Sequence, residues 1–155
     1  MLGSSRDTGL YKKGFIGGIR VYRNIKRILD ILFSAILLVL GAIPLLIVAL
    51  IIKIDSPGEA LFKQERLGLN GKTFKIYKFR SMCVGAEKKG SGVYSGKNDA
   101  RVTRVGKIIR ATSIDELPQL INIFKGEMSF IGPRPTLTYH PWKLEEYTDF
   151  QKRRF

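Results

Sequence analysis

From Ile31 to Ile52 the chain carries no charged residue, and this run sets the pattern of everything around it. Twenty-two residues wound as a helix reach roughly 33 Å at 1.5 Å per residue, the thickness of a bilayer's hydrocarbon core. A cleaved signal peptide would be shorter and would end in a small-residue cleavage site. The flanks do not mark a direction of crossing. Before the run stand Arg6, Lys12, Lys13, Arg20, Arg23, Lys26 and Arg27; between it and residue 80 stand Lys53, Lys63, Arg66, Lys72, Lys75, Lys78 and Arg80. A spanning helix depletes one flank of such residues, and neither is depleted. Gly41 and Pro44 interrupt the run near its middle, where the proline removes a backbone hydrogen bond and bends a helix. Two readings stay open: a helix that enters, bends at Pro44 and returns to the same face, or an ordinary bent span with a weak charge bias. Asp30, at the entrance, is costly against lipid and is expected to pair with a neighbouring base such as Arg27.

Past the run the pattern changes to short alternations. Asp55-Ser-Pro-Gly58 is a turn signal. Residues 60–67 and 73–79 read as two strands joined around Asn70-Gly71, a hairpin signal. Tyr77-Lys78-Phe79-Arg80 interleaves aromatics with bases, which suits either a stacking platform for a nucleotide or a half-buried strand with solvated lysines. Residues 83–97 are rich in Gly, Ser and Lys without a period and read as a long loop of the kind that serves as a lid. A short helical stretch reaches Ile109. Beyond Pro135, His140-Pro-Trp142 and a polar run lead to Lys152-Arg-Arg-Phe155.

The chemistry concentrates where a second helix starts. Pro118 is tolerated only in a first turn, which predicts a helix beginning at Asp115 with that residue as its N-cap. A start at Ser113, forming a capping box with Glu116, is the alternative. Leu117, Leu120, Ile121 and Phe124 then share one buried face, and Gly126 ends the helix. Asp115 and Glu116 at such a terminus are favoured in their ionised form and can serve as nucleophile or Mg²⁺ ligand. Arg110 before the pair and Arg134 after it are planar forks suited to phosphate. The plainer reading makes Asp115 a cap and the arginines solvated.

Composition narrows the partners. The 155 residues carry a formal net charge of +14, yet 45% of them are apolar, which excludes a disordered chain. A basic and apolar protein meets nucleic acid, an anionic membrane or phosphorylated substrates. The single cysteine, Cys83, excludes an internal disulfide, and the single histidine leaves little for a zinc site or a Ser-His-Asp triad.

Taken in order, these stretches resemble the bacterial sugar transferases, the monotopic phosphoglycosyl transferases. The pieces are Lys26-Arg27-Ile-Leu-Asp30, Pro44, Asp55-Ser-Pro-Gly58, Phe62-Lys-Gln-Glu-Arg66-Leu-Gly68, Phe74-Lys-Ile-Tyr-Lys78-Phe-Arg80-Ser-Met82, Asn98-Asp99 to Gly106, Ser113 to Asn122 and Gly132-Pro-Arg-Pro135. The resemblance implies an α+β fold: a re-entrant membrane helix broken near Pro44, then a small, mostly helical cytosolic domain with a β-hairpin. Its layout would be a flexible basic tail over 1–22, the anchor over 23–54 with Arg27, Asp30 and Pro44, and a catalytic domain over 55–155. Family members continue with an arginine-proline-glycine stretch, so the C-terminal part of that domain is expected to be missing. Ile43 stands where a small polar residue often precedes the proline.

The implied reaction moves a sugar-1-phosphate from a UDP-sugar to polyprenyl (undecaprenyl) phosphate, releasing UMP, at the cytoplasmic face of the bacterial inner membrane. Asp115 would be the nucleophile and contact Mg²⁺, Glu116 its partner, and Arg110, Arg134 and Lys78 the phosphate-binding residues. Membrane lipid is an expected partner and nucleic acid is not; a homodimer stays open. The rival is a truncated, inactive relative acting as a membrane-bound binding protein.

Overall fold

The computed structural model describes residues 7–86, 99–138 and 148, with side chains from residue 21 onward. Helix α1, Asp7–Asp55, runs for 49 residues with Pro44 inside it. The stretch to residue 22, read as a tail, enters the helix at Asp7, because extending an existing helix adds a hydrogen bond per residue without a new nucleus. Pro44 lies inside the helix without ending it, since a proline deletes one donor and leaves the flanking turns bonded.

The stretch Val21–Asp55 is long and apolar enough to cross a membrane. Much of its surface is bare: Val39, Leu40, Ile43, Leu46 and Ile54 are all more than 70% exposed. The arm after Pro44 also gives one face to protein. Ile52, 2% exposed, packs with Ala60, Phe79 and Ile109, and Leu45, Val48 and Ala49 close over that cluster. Burying each of the large members stabilises the fold by about 1.5–3 kcal/mol. The apolar run read as a membrane helix therefore also builds part of the core.

Strands β1, Leu61–Leu67, and β2, Thr73–Phe79, pair antiparallel with Leu67 opposite Thr73 and Leu61 opposite Phe79. Their connection passes through Asn70 and Gly71, both at positive φ, as the Asn-Gly signal requires. A third strand, β3, Thr136–Leu137, adds to the other edge of β1.

Helix α2, Arg104–Ala111, starts on the Thr103 hydroxyl, which accepts from the Gly106 N–H at 2.9 Å. A side chain at Gly106 would place its Cβ 2.0 Å from the Ser81 carbonyl oxygen, so glycine lets α2 lie against the strand exit. The chain then turns at Ser113 (φ 58°) into a 3₁₀ segment, Ile114–Gln119, that leads directly into α3, Leu120–Lys125. Gly126, at φ 89°, closes α3 as expected, its N–H donating to the carbonyls of Asn122 and Ile123.

The helix start falls on the alternative position of the sequence reading and not on the preferred one. Ser113, not Asp115, holds the cap position, and among the described residues its hydroxyl makes no capping bond. Asp115 and Glu116 occupy the first turn, which winds as 3₁₀ through Pro118 before α geometry begins at Leu120. The buried face is also different. Pro118, Leu120, Asn122 and Ile123 face inward, while Leu117 and Phe124 are 43% and 46% exposed. The 3₁₀ turn advances fewer residues per turn than an α-helix, which rotates the inward face away from those two.

Candidate active site

The acid pair sits against strand β2. Lys78 Nζ donates to Glu116 Oε1 at 2.7 Å, and Arg134 Nη2 donates to the same oxygen at 3.0 Å. Lys78 is largely buried, whereas the Arg134 side chain is 72% exposed. Asp115 points instead into a cavity of about 490 Å³, which Lys78 and Arg110 also line. The structure thus gathers Asp115, Lys78 and Arg110 around one space and makes Glu116 the bridge from that space to Arg134.

The two carboxylates are driven apart electrostatically. Burial pushes the Asp115 carboxyl up; Lys78 and Arg110 pull it back, the neighbouring Glu116 charge adds to the rise, and the net shift is upward. Burial acts on Glu116 in the same sense. There the hydrogen bond and charge of Lys78, with Arg134, outweigh it and hold the group below the usual glutamate range. Adjacent acids with opposed shifts are a pattern of functional sites.

Asn122 fixes this geometry from below. It is fully buried: its Oδ1 accepts from the Tyr77 N–H at 3.0 Å, and its Nδ2 donates to the Lys75 carbonyl at 2.8 Å and to Glu127 Oε2 at 2.7 Å. These bonds clamp α3 to β2 on both sides of Ile76, within three residues of Lys78. Sequence reasoning passed over Asn122 because it counted apolar residues to find the buried face. A polar residue inside an apolar run, four positions after Pro118, was the available signal.

The cavity has further polar lining that the sequence reading left without a role. Gln64 and Arg66 lie on β1 two residues apart, on the face that Phe62 shares, and all three line the cavity. Arg66 donates to Gln64 Oε1 at 2.7 Å and to the Pro135 carbonyl at 3.2 Å, tying the Gly132–Pro135 loop to the sheet. Polar residues at alternate positions of an otherwise half-buried strand were the signal.

The aromatic and basic stripe dissolves into separate jobs. Phe79 belongs to the core, and Lys78 to the site. Arg80 is 8% exposed and donates to the carbonyls of Ser56 and Pro57, each at 2.7 Å. Tyr77 lies under Lys125, whose Nζ is 4.9 Å from the ring centre. The stretch is thus the end of a half-buried strand, as one of the two readings had it, with Lys75 exposed but Lys78 turned to Glu116.

The anchor residues stand apart from the cavity. Asp30 pairs with a neighbouring base as expected, but that base is Lys26, at 3.3 Å and four positions back on the same face, and not Arg27. Arg27 reaches across to α3, where Nη1 donates to the Ile123 carbonyl at 2.6 Å and Nη2 to the Phe124 carbonyl at 2.8 Å. The residues proposed for the lid beyond Ala86, together with His140, Trp142 and the basic end, lie outside the described residues.

Among the described residues no group of three or more His, Cys, Asp or Glu side chains could hold a metal ion by itself. The pair Asp115 and Glu116 fits a different use: Mg²⁺ takes one or two carboxylates and completes its octahedron with substrate phosphates and water.

The chain matches the bacterial sugar transferase family over residues 21–155. It is 52% identical over 115 residues, 74% of its length, to the UDP-glucose:undecaprenyl-phosphate glucose-1-phosphate transferase of Caulobacter vibrioides (strain ATCC 19089 / CIP 103742 / CB 15), of which it covers 43%. A Bacillus subtilis (strain 168) protein, provisionally named an undecaprenyl-phosphate N-acetylgalactosaminyl 1-phosphate transferase, is 51% identical over 114 residues, 74% of this chain and 63% of that one. The UDP-N-acetylgalactosamine-undecaprenyl-phosphate N-acetylgalactosaminephosphotransferase of Aeromonas hydrophila is 50% identical over 115 residues, 74% of this chain and 27% of its own. The chain thus spans less than two thirds of each of these relatives. A site of two opposed acids, held by one lysine and flanked by arginines, on a chain with an apolar N-terminal helix, accords with that match: the chain belongs to the bacterial sugar transferase family.

Proposed function

We propose that this protein transfers a sugar-1-phosphate from a UDP-sugar to undecaprenyl phosphate, with release of UMP. The observation that carries the reading is the placement of Asp115, Lys78 and Arg110 on one cavity, with Glu116 tied to Arg134 beside it. In the first step an Asp115 carboxylate oxygen attacks the sugar-bearing phosphorus. The bond from that phosphorus to the bridging oxygen breaks, and UMP leaves with the electron pair. In the second step a phosphate oxygen of the lipid carrier attacks the same phosphorus and expels the Asp115 carboxylate, giving the polyprenyl-diphospho-sugar. Splitting one displacement into two lowers each barrier. Lys78 and Arg110 offset charge on the diphosphate during both steps. Mg²⁺ held by Asp115, with Glu116 beside it, would supply further neutralisation of phosphate charge.

The same reading gives α1 a re-entrant course at the cytoplasmic face of the inner membrane. Arg27 and Asp30, before Pro44, bond the domain at Ile123, Phe124 and Phe130; Asp55, after it, accepts from the Val105 N–H at 3.3 Å. A helix crossing the bilayer would put these attachments on opposite sides of it. Their meeting on one small domain supports a bend at Pro44 and a return to the same face.

The test is UMP release from a panel of UDP-sugars with Mg²⁺, detergent and undecaprenyl phosphate, for the wild type and Asp115→Asn. Release that disappears in the variant is expected, and the sugar that works names the donor. Undiminished release by Asp115→Asn would remove Asp115 from the nucleophile's role. Silence from every sugar would favour a membrane-bound binding protein.

A further inference from the structure

After α3 the chain returns to the anchor and is fastened there. Lys26 Nζ bonds Ser129 Oγ, and Asp30 Oδ1 accepts from the Phe130 N–H at 3.3 Å. Residues 129–130 are therefore held level with helix positions 26–30. Asp30 is the last charged residue before the charge-free run, so that level is the edge of the hydrocarbon.

At this level the domain shows apolar side chains outward. Phe130 is 45% exposed and Ile131 76%; Leu69, at the hairpin turn, is 66% exposed. Ile131 and Leu69 line one cavity of about 460 Å³ together with Arg23, Lys26, Arg27 and Arg134. Single exposed apolar residues are ordinary on a soluble surface. Two that converge beside a basic rim, one of them next in the chain to Phe130, whose backbone is bonded to a membrane helix, are the pattern of an interfacial contact.

We infer that Leu69, Phe130 and Ile131 form a second membrane contact, separate from α1, which enters the headgroup boundary of an anionic bilayer while Arg23 faces lipid phosphate. The inference rests on α1 lying in the membrane. Charge complementarity and continuity with the bare face of α1 select the bilayer as the occupant. The contact also has a purpose for the site. Gly132, Pro133 and Arg134 follow Ile131 directly, and Arg134 is bonded to Glu116. Seating Ile131 in the interface sets the height of the acid pair above the lipid carrier's phosphate.

The test places tryptophan at position 131. The chain has one tryptophan, so Ile131→Trp and, separately, Leu40→Trp are made in a Trp142→Phe background and reconstituted in nanodiscs containing phosphatidylglycerol. Fluorescence is read with ordinary lipids and with lipids brominated high on the acyl chains. Ile131 is so exposed that the larger ring meets no packing obstacle. The expected result is a shift of Ile131→Trp emission to shorter wavelength and a loss of intensity with brominated lipid. Quenching at position 40 with water-like, unquenched emission at position 131 would overturn the contact and leave the anchor intact. Absence of quenching at both positions would overturn the membrane reading of α1 and the contact with it.

Discussion

Lys78 and Glu116 meet at 2.7 Å although they stand on different elements, β2 and the 3₁₀ turn before α3. The lysine acts on both acids: it is bonded to Glu116 and lowers Asp115 through its charge. Replacing it by methionine keeps much of the stem and removes the charge. Lys78→Met should reduce turnover by about 10²-fold, the usual effect of deleting one transition-state donor. It should also move the acid limb of the pH–rate profile to higher pH, because Asp115 loses the cation that opposes its burial. A loss of rate with the limb unmoved would mean that Lys78 contributes only to substrate binding.

The upward shift of Asp115 has a sign that can be read in stability. A carboxyl raised in the folded state binds its proton more tightly there than in the unfolded chain, so its ionisation destabilises the fold as pH rises past the ordinary aspartate range. Asp115→Asn should therefore melt at a higher temperature than the wild type at neutral pH, with the gap closing in acid. Glu116 runs the other way. Its carboxyl is held low, so its contribution is present above the ordinary glutamate range and disappears as pH falls through the depressed value. Thermal melts of Asp115→Asn and Glu116→Gln across acid to neutral pH should diverge in opposite directions.

Arg27 closes the carbonyl end of α3 with two bonds. Charge-assisted bonds of this kind are worth about 1.5–3 kcal/mol, and a cation at a helix C-terminus adds to them. Arg27→Gln should lower stability by about 2 kcal/mol. Limited proteolysis in detergent should show earlier cleavage after Lys125, with the anchor still extracting as a membrane protein. Equal protection of Lys125 in both forms would deny the cap.

Asn122 makes three side-chain bonds in a site with no exposure. Asn122→Ala leaves the Tyr77 N–H and the Lys75 carbonyl buried, each costing about 1–3 kcal/mol when unsatisfied. The expected loss is about 3 kcal/mol by denaturant titration. A loss within the range of an ordinary surface substitution would show that β2 and α3 are held mainly by apolar contact.

The hairpin was legible because its two determinants are local: side chains alternating across β1 and β2, and an Asn-Gly pair able to take positive φ. The acid pair was legible for a similar reason, since Pro118 limits where a helix can start. The precise start was not. Ser113 adopts φ 58° without being glycine or asparagine, and nothing in its identity announces that. Strand β3 is two residues long, too short to carry a period. The role of Ile52 was hidden by its neighbours. Apolar residues all round a helix do not reveal which of them turn from lipid to protein, and that choice is made by Phe79 and Ile109 far along the chain.

The anchor is joined to the domain by two separate stitches, Arg27 with Asp30 near one end and Ile52 with Asp55 near the other. A body hung from one point swings; a body held like a cup by both ends of its handle does not. Two attachments restrain rotation of the domain about the helix axis and couple a tilt of α1 to α2 and α3. The depth at which α1 is seated thereby becomes a mechanical input to the position of Asp115.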